Sequence, residues 1–153
     1  MELSYDNILN FMKEYFNTYS TYGQKLETAH RMHDFFLPEI RFIPYIAALG
    51  GPEGGFKSRD EFLTTAVRHT AWYEKLIPQD ITIDERRSIA VVLFGMEVVD
   101  IEKDEVVVRK SAIAHYQLVL DENSTIKIKT IQFFWEVLPP GVPEFYDLFG
   151  REQ

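Results

Sequence analysis

The chain contains no cysteine, which removes disulfides, thiolate metal ligands and thiol nucleophiles at once. It has no basic cluster either. Its 16 Lys and Arg are outnumbered by 24 Asp and Glu, and the formal net charge of −8 opposes the phosphate contacts that nucleic acid or an anionic membrane would demand. Long hydrophobic runs are missing too, since the longest, Ile89 to Met96, is far too short to cross a bilayer. The start, MELSYDN, is acidic and polar, unlike the basic and then apolar opening of a signal peptide. A cytoplasmic location is the default expectation, with no membrane and no nucleic acid as partners.

What is present is apolar and aromatic. Hydrophobic residues make up 46% and aromatics 14% of 153 residues, enough for one domain that buries roughly 70% of its unfolded surface. No internal repeat or linker divides residues 1–153. In the first half, Ile8, Phe11, Met12, Tyr15, Phe16 and Tyr19 recur at helical spacing, and Gly23 ends that helix. A second helix is expected from Gln24 to Leu37, closed by Pro38, followed by a short extended piece from Ile40 to Tyr45. After a glycine-rich loop, Ser58 and Glu61 form a capping box for a third helix carrying Phe62, Leu63, Ala66, Val67, His69 and Tyr73.

From Ile81 onward the pattern is of strands, with Ile89–Asp100, Val106–Leu120 and Ile126–Leu138 joined by polar turns. Helices first and a meander afterwards predict an α+β fold. Centring the first hairpin on Lys103 and Asp104 pairs Glu97 with Lys110 and Gly95 with Ala112. In the last strand the apolar spacing slips from two to three between Ile128 and Ile131, which predicts a β-bulge near Lys129–Thr130. Ala114 then faces Phe133 and Ala112 faces Trp135. In this register the face turned from the helices carries Phe94, Ile113 and Phe134, with Glu136 beside them. A second copy of the chain is the simplest cover for that face, which predicts a homodimer.

Several residues are candidates for chemistry, each with a plainer alternative. Glu97 interrupts a buried run and would be a raised-pKa acid or base if desolvated, or a neutralised partner of Lys110. His69 lies on the inward stripe of the third helix and is either a donor to a ligand or a core histidine. Tyr15, Tyr19, Tyr73, Tyr116 and Trp135 are either the walls of an aromatic pocket with polar tips or a filled core. His30, His33 and Asp34 share one helix without an evident third ligand, so no metal is expected. Gly51–Ser58 has the outline of a phosphate loop, yet Phe56 stands where glycine must precede lysine. Phe145, Tyr146, Leu148 and Phe149, after the stiff Pro139–Pro143 turn, form either a lid or a packed C-terminus.

The order of these elements resembles the nuclear transport factor 2-like superfamily, including the SnoaL-like polyketide cyclases. The resemblance spans nearly the whole chain. It rests on Phe35-Phe36-Leu37-Pro38-Glu39-Ile40-Arg41-Phe42, on Gly55-Phe56-Lys57-Ser58-Arg59-Asp60-Glu61-Phe62, and on Leu118-Val119-Leu120-Asp121-Glu122-Asn123 before the last strand. It implies a cone-shaped curved antiparallel sheet packed against three N-terminal helices, a small apolar ligand in the cone and no cofactor. Ketosteroid isomerase-like members imply a first-helix tyrosine as oxyanion donor, matched by Tyr15, and a second donor matched by Tyr116. Their base would fall at Phe42-Ile43-Pro44, which holds no carboxylate. Scytalone dehydratase-like members pair a tyrosine with an aspartate where this chain has Tyr19-Ser20, and their strand histidine has no counterpart near Gln79–Thr82. Glu136 matches a late-strand aspartate of many relatives. The expected function is small-molecule binding, with a cofactor-free cyclase, isomerase or dehydratase and a filled-cone adaptor as alternatives.

Overall fold

The computed structural model describes residues 1–66 and 71–142. The expected positions Val67 and His69 and the segment Phe145–Phe149 lie outside them. Helix α1 (Tyr5–Tyr22) starts where Ser4 accepts a hydrogen bond from the Asn7 amide at 3.2 Å, a side-chain cap on a free amide. Its apolar stripe of Ile8, Met12, Tyr15 and Phe16 is buried. A 3-10 helix (Ala29–Phe35) follows, then β1 (Phe36–Pro44). Two 3-10 turns, Ala47–Leu49 and Gly51–Gly54, lead to α2 (Arg59–Ala66), and β2 (Trp72–Asp84), β3 (Ile89–Asp100), β4 (Glu105–Leu120) and β5 (Ile126–Trp135) complete the order. The capping residues of α2 act as the sequence predicts. Ser58 accepts from the Glu61 amide at 3.1 Å, while the Glu61 carboxylate reaches back to the Lys57 amide at 3.2 Å.

The five strands form one open, curved sheet in the order β1-β5-β4-β3-β2, and the three helices make this an α+β cone. The sheet is mixed, because β1 runs parallel to β5 while the other pairs are antiparallel. The second helix is shorter than the sequence predicts. Leu26 is 78% exposed, so residues 24–28 have no apolar side chain to bury, the buried Ala29, Met32 and Phe35 lie in the 3-10 helix, and Phe36 and Leu37 already belong to β1. The glycine loop is not a free phosphate loop. Gly55 presses so closely on the Phe42 carbonyl that an added Cβ would sit 1.7 Å from its oxygen, and Phe56 accepts the Phe42 amide at 2.8 Å.

Register decides which residues face inward. Between β4 and β5, Ala112 pairs with Trp135 and Ala114 with Phe133, and Lys129 is the extra residue that leaves Gln117 opposite Thr130 and Leu118 opposite Ile128. The predicted bulge and pairing are both present. Between β3 and β4 the register differs from expectation by one residue: Glu97 faces Arg109, Gly95 faces Ser111 and Phe94 faces Ala112. The hairpin closes on Ile101–Asp104, with Asp104 in the left-handed region, and Val107 is extra on β4. A slip of one residue turns every side chain of a strand to the other face.

Phe94 is therefore 1% exposed and packs on Phe16, and Leu93 takes its place outside. Leu93, Ile113 and Phe134 form the outward row across three strands, each 41–49% exposed. Tyr45 stacks on Phe134 at 4.7 Å. Among the described residues, no helix is long and apolar enough to cross a membrane. The register makes a measurable distinction: Phe94→Ala should cost about 3–5 kcal/mol by cavity formation, and Leu93→Ala markedly less, in urea unfolding. Equal costs would contradict this pairing.

Candidate functional site

The sequence expectation placed Tyr73 on the inward stripe of a helix. It lies instead on β2, whose alternation turns Trp72, Glu74 and Leu76 to the inner face and Tyr73 and Lys75 to the outer one. Tyr73 is thereby removed from the pocket wall, and its ring lies 5.8 Å from the Lys75 ammonium. The same alternation brings in Glu74, a carboxylate that the helical reading of this stretch concealed.

Glu74 is held by two residues one helical turn apart and just beyond. The Tyr19 hydroxyl donates to Glu74 Oε1 at 2.5 Å. Gln24 Nε2 donates to the Tyr19 hydroxyl at 2.9 Å and lies 3.5 Å from Glu74 Oε1, while Gln24 Oε1 accepts the Glu74 backbone N–H at 2.6 Å. Gly23 makes this return possible. Its amide closes α1 onto the Thr18 and Tyr19 carbonyls, and a Cβ there would stand 2.9 Å from the Tyr19 oxygen and 3.1 Å from the Met32 side chain. Any larger residue would push the turn away and take Gln24 with it.

Desolvation pushes the Glu74 carboxyl up to about 7, against the pull of Tyr19, Gln24 and the positive charge of Lys110. Burial likewise raises Tyr15, Tyr19 and Tyr116 above the ordinary phenol range, with Glu74's charge adding to the first two. Tyr15 and Tyr116 meet edge to face, ring centroids 5.6 Å apart. The two positions matched to oxyanion donors are thus neighbours. Lys110, 4% exposed on β4, places its ammonium 4.1 Å from the centre of the Trp135 ring. Acid, cation, phenols and two tryptophans therefore share the inner face.

The other expected site residues are elsewhere. Glu97 points outward and pairs with Arg109 at 2.9 Å, not with Lys110. Arg109 is exposed and Glu97 half-buried, an ion pair at the surface and of small energetic weight. Glu136 is exposed at the end of β5, where its carboxylate accepts the Ser111 amide at 3.1 Å and its own amide donates to the Ser111 carbonyl at 2.8 Å. His30 and Asp34 are exposed and His33 is half-buried. Among the described residues, no three acidic or histidine side chains converge as a metal site.

The raised Glu74 pKa fixes a sign for stability. Between about pH 4.5 and 7 the unfolded chain releases this proton while the folded chain keeps it, so stability from this group declines as pH rises through that window. The effect is at most about 3 kcal/mol. Glu74→Gln retains an acceptor for Tyr19, so urea unfolding at pH 5 and pH 7.5 should show this decline in the native chain and lose it in the variant. A decline that persists in the variant would assign it to other groups.

No family model matches the sequence, and no curated protein matches it. Solved structures do. ActVI-ORFA from Streptomyces coelicolor superposes with a TM-score of 0.63 at 9% identity, covering 86% of this chain and 97% of its own. Nuclear transport factor 2 from Cryptosporidium parvum gives 0.60 at 11% identity, covering 86% and 94%. A SnoaL-like protein from a Jannaschia species gives 0.60 at 8% identity, covering 86% of each chain. The cone, its strand order and its helices are those of the nuclear transport factor 2-like, SnoaL-like fold.

Proposed function

We propose that the cone binds a small, mostly apolar molecule, with Trp72, Trp135 and the tyrosines as its walls and the Glu74–Tyr19–Gln24 set as its polar end. The observation that carries this reading is the 2.5 Å Tyr19–Glu74 hydrogen bond on a largely aromatic inner face. Ligand sites commonly combine apolar walls with a few convergent polar groups. The protein works in the cytoplasm on this reading.

A second reading has its own support. A carboxyl near pH 7 is matched to proton transfer under ordinary conditions. Glu74, with Tyr15 and Tyr116 as donors to a developing oxyanion, would serve a cofactor-free reaction of the cyclase, isomerase or dehydratase type. Glu74 then fills the role that Phe42-Ile43-Pro44 leaves empty. The two candidates named from sequence stand differently: Glu97 is half-buried on the outer face and paired with the exposed Arg109, and His69 lies outside the described residues.

One titration separates these readings from a filled, purely structural cone. Trp72 and Trp135 are the chain's 2 tryptophans, so their emission reports on the inner face alone. The apolar ketone 2-tetralone should change that emission saturably at one molecule per chain. In D2O an acid–base enzyme should also speed deuterium entry beside its carbonyl, and Glu74→Gln should abolish that while keeping the binding. Binding without exchange leaves the binder; no binding leaves the adaptor.

A homodimer through the outer face belongs to the same proposal. Leu93, Ile113 and Phe134, with Tyr45 stacked at one end, form a continuous apolar row rimmed by Glu97, Arg109 and Glu136. Phe134→Asp should yield a monomer in sedimentation while the native chain sediments as a dimer; equal masses would count against the interface.

A further inference from the structure

We propose that the cone takes a neutral apolar molecule bearing a hydroxyl group, held by Glu74 Oε2. Gln24 is the positioning residue that reserves this oxygen for the ligand by fixing the direction of the Tyr19–Glu74 hydrogen bond. The proposal rests on the small-molecule reading above and names its ligand class.

The first ground is the direction of the hydrogen bonds. A backbone N–H can only donate, so the Glu74 amide, 2.6 Å from the Gln24 side chain, identifies the atom it meets as Oε1. The other end of that side chain is then its NH2 group, which also can only donate, and it lies 2.9 Å from the Tyr19 hydroxyl. Tyr19 therefore accepts from Gln24 and turns its own hydrogen to Glu74 Oε1, 2.5 Å away. A proton placed on Oε1 would leave the Tyr19 hydrogen without an acceptor. When Glu74 is protonated, the proton accordingly sits on Oε2. Among the described residues nothing hydrogen-bonds to Oε2, and it is not one of the buried unpartnered atoms, which are Arg59 Nε and His115 Nδ1. It is the open polar atom of the set.

The second ground is what an open carboxyl oxygen can pair with. Protonated, Oε2 donates; ionised, it accepts. A hydroxyl does both and is satisfied by either state, whereas a carbonyl or ether oxygen only accepts and pairs with the protonated state alone. A carboxyl near 7 places both states within ordinary pH. The groups facing it are Tyr15 and Tyr19 from α1, Lys110 from β4 and apolar Met96 and Val98 from β3. Burial holds both phenols above the ordinary phenol range, so neither loses its proton between pH 6 and pH 8.

Calorimetric titration tests this with 2-naphthol and 2-tetralone, which share a ring skeleton and place one oxygen at the same position, each at pH 6 and pH 8. Naphthol, un-ionised at both, should bind equally well at the two pH values. Tetralone should weaken about tenfold at pH 8, following the protonated fraction of Glu74. Glu74→Gln presents a fixed NH2 donor in place of Oε2, so both ligands should then bind without pH dependence and the preference for naphthol at pH 8 should vanish. Gln24→Met lets Tyr19 accept from Glu74 Oε1, which should weaken tetralone several-fold at pH 6. Naphthol pairs with Oε2 whether or not that oxygen holds the proton, so its retained binding certifies the fold of this variant. Tetralone as tight as naphthol at pH 8, a preference that survives Glu74→Gln, or tetralone at pH 6 unmoved by Gln24→Met would each overturn the proposal. Failure of both ligands would sink the small-molecule reading beneath it.

Discussion

Strand β2 lies at the edge of the sheet, and an edge strand presents a row of backbone amides and carbonyls without strand partners. Here side chains from α1 and its C-terminal turn take them up. The Ser20 hydroxyl accepts the Leu76 amide at 2.9 Å and donates to the Leu76 carbonyl at 3.0 Å, and Gln24 accepts the Glu74 amide at 2.6 Å. The helix is thereby fixed against the sheet by a substitute for strand pairing. Position, orientation and protonation of the inner-face groups all depend on that docking. Tyr19 reaches Glu74 because Ser20 and Gln24 hold the two elements in register.

The cost of this arrangement falls on Glu74. A carboxyl drawn out of water loses hydration that two hydrogen bonds and one nearby cation only partly replace. A phenol, an amide and an ammonium are each weaker compensation than a bidentate arginine. The outcome is a group balanced between its two charge states, not an inert ion pair of the Glu97–Arg109 kind. Burial of the donors matters as much as their identity, because the same contacts at the surface would leave the carboxyl fully ionised.

Much of this fold is legible in the residues, and the failures have physical causes. The three-residue step from Ile128 to Ile131 betrays the bulge because one face of β5 must stay apolar on both sides of it, and the Ala112–Trp135 and Ala114–Phe133 pairs follow. Strand β3 gives no such signal. Leu93 and Phe94 are both large and apolar, so periodicity does not choose between them, and the extra Val107 changes the parity of the hairpin. Phe62, Ala66, His69 and Tyr73 keep helical spacing straight through to a strand, which hides Glu74. The pairing of Tyr15 with Tyr116 was foreseeable, whereas Gln24 carries no pattern of its own and acts only through the turn at Gly23.

The parallel contact of β1 with β5 has a consequence in time. Phe36 pairs with Ile128, so β1 waits about 90 residues for its neighbour, a long-range closure of the kind that slows folding. At ribosomal speeds that delay is ~5–20 s. During it the aromatic stretch Phe35–Phe42 has no sheet to join. Synthesis of this chain therefore passes through a stage in which helix α1 and the nascent hairpins are available but the wall of the cone is not, and chaperone demand should be concentrated there.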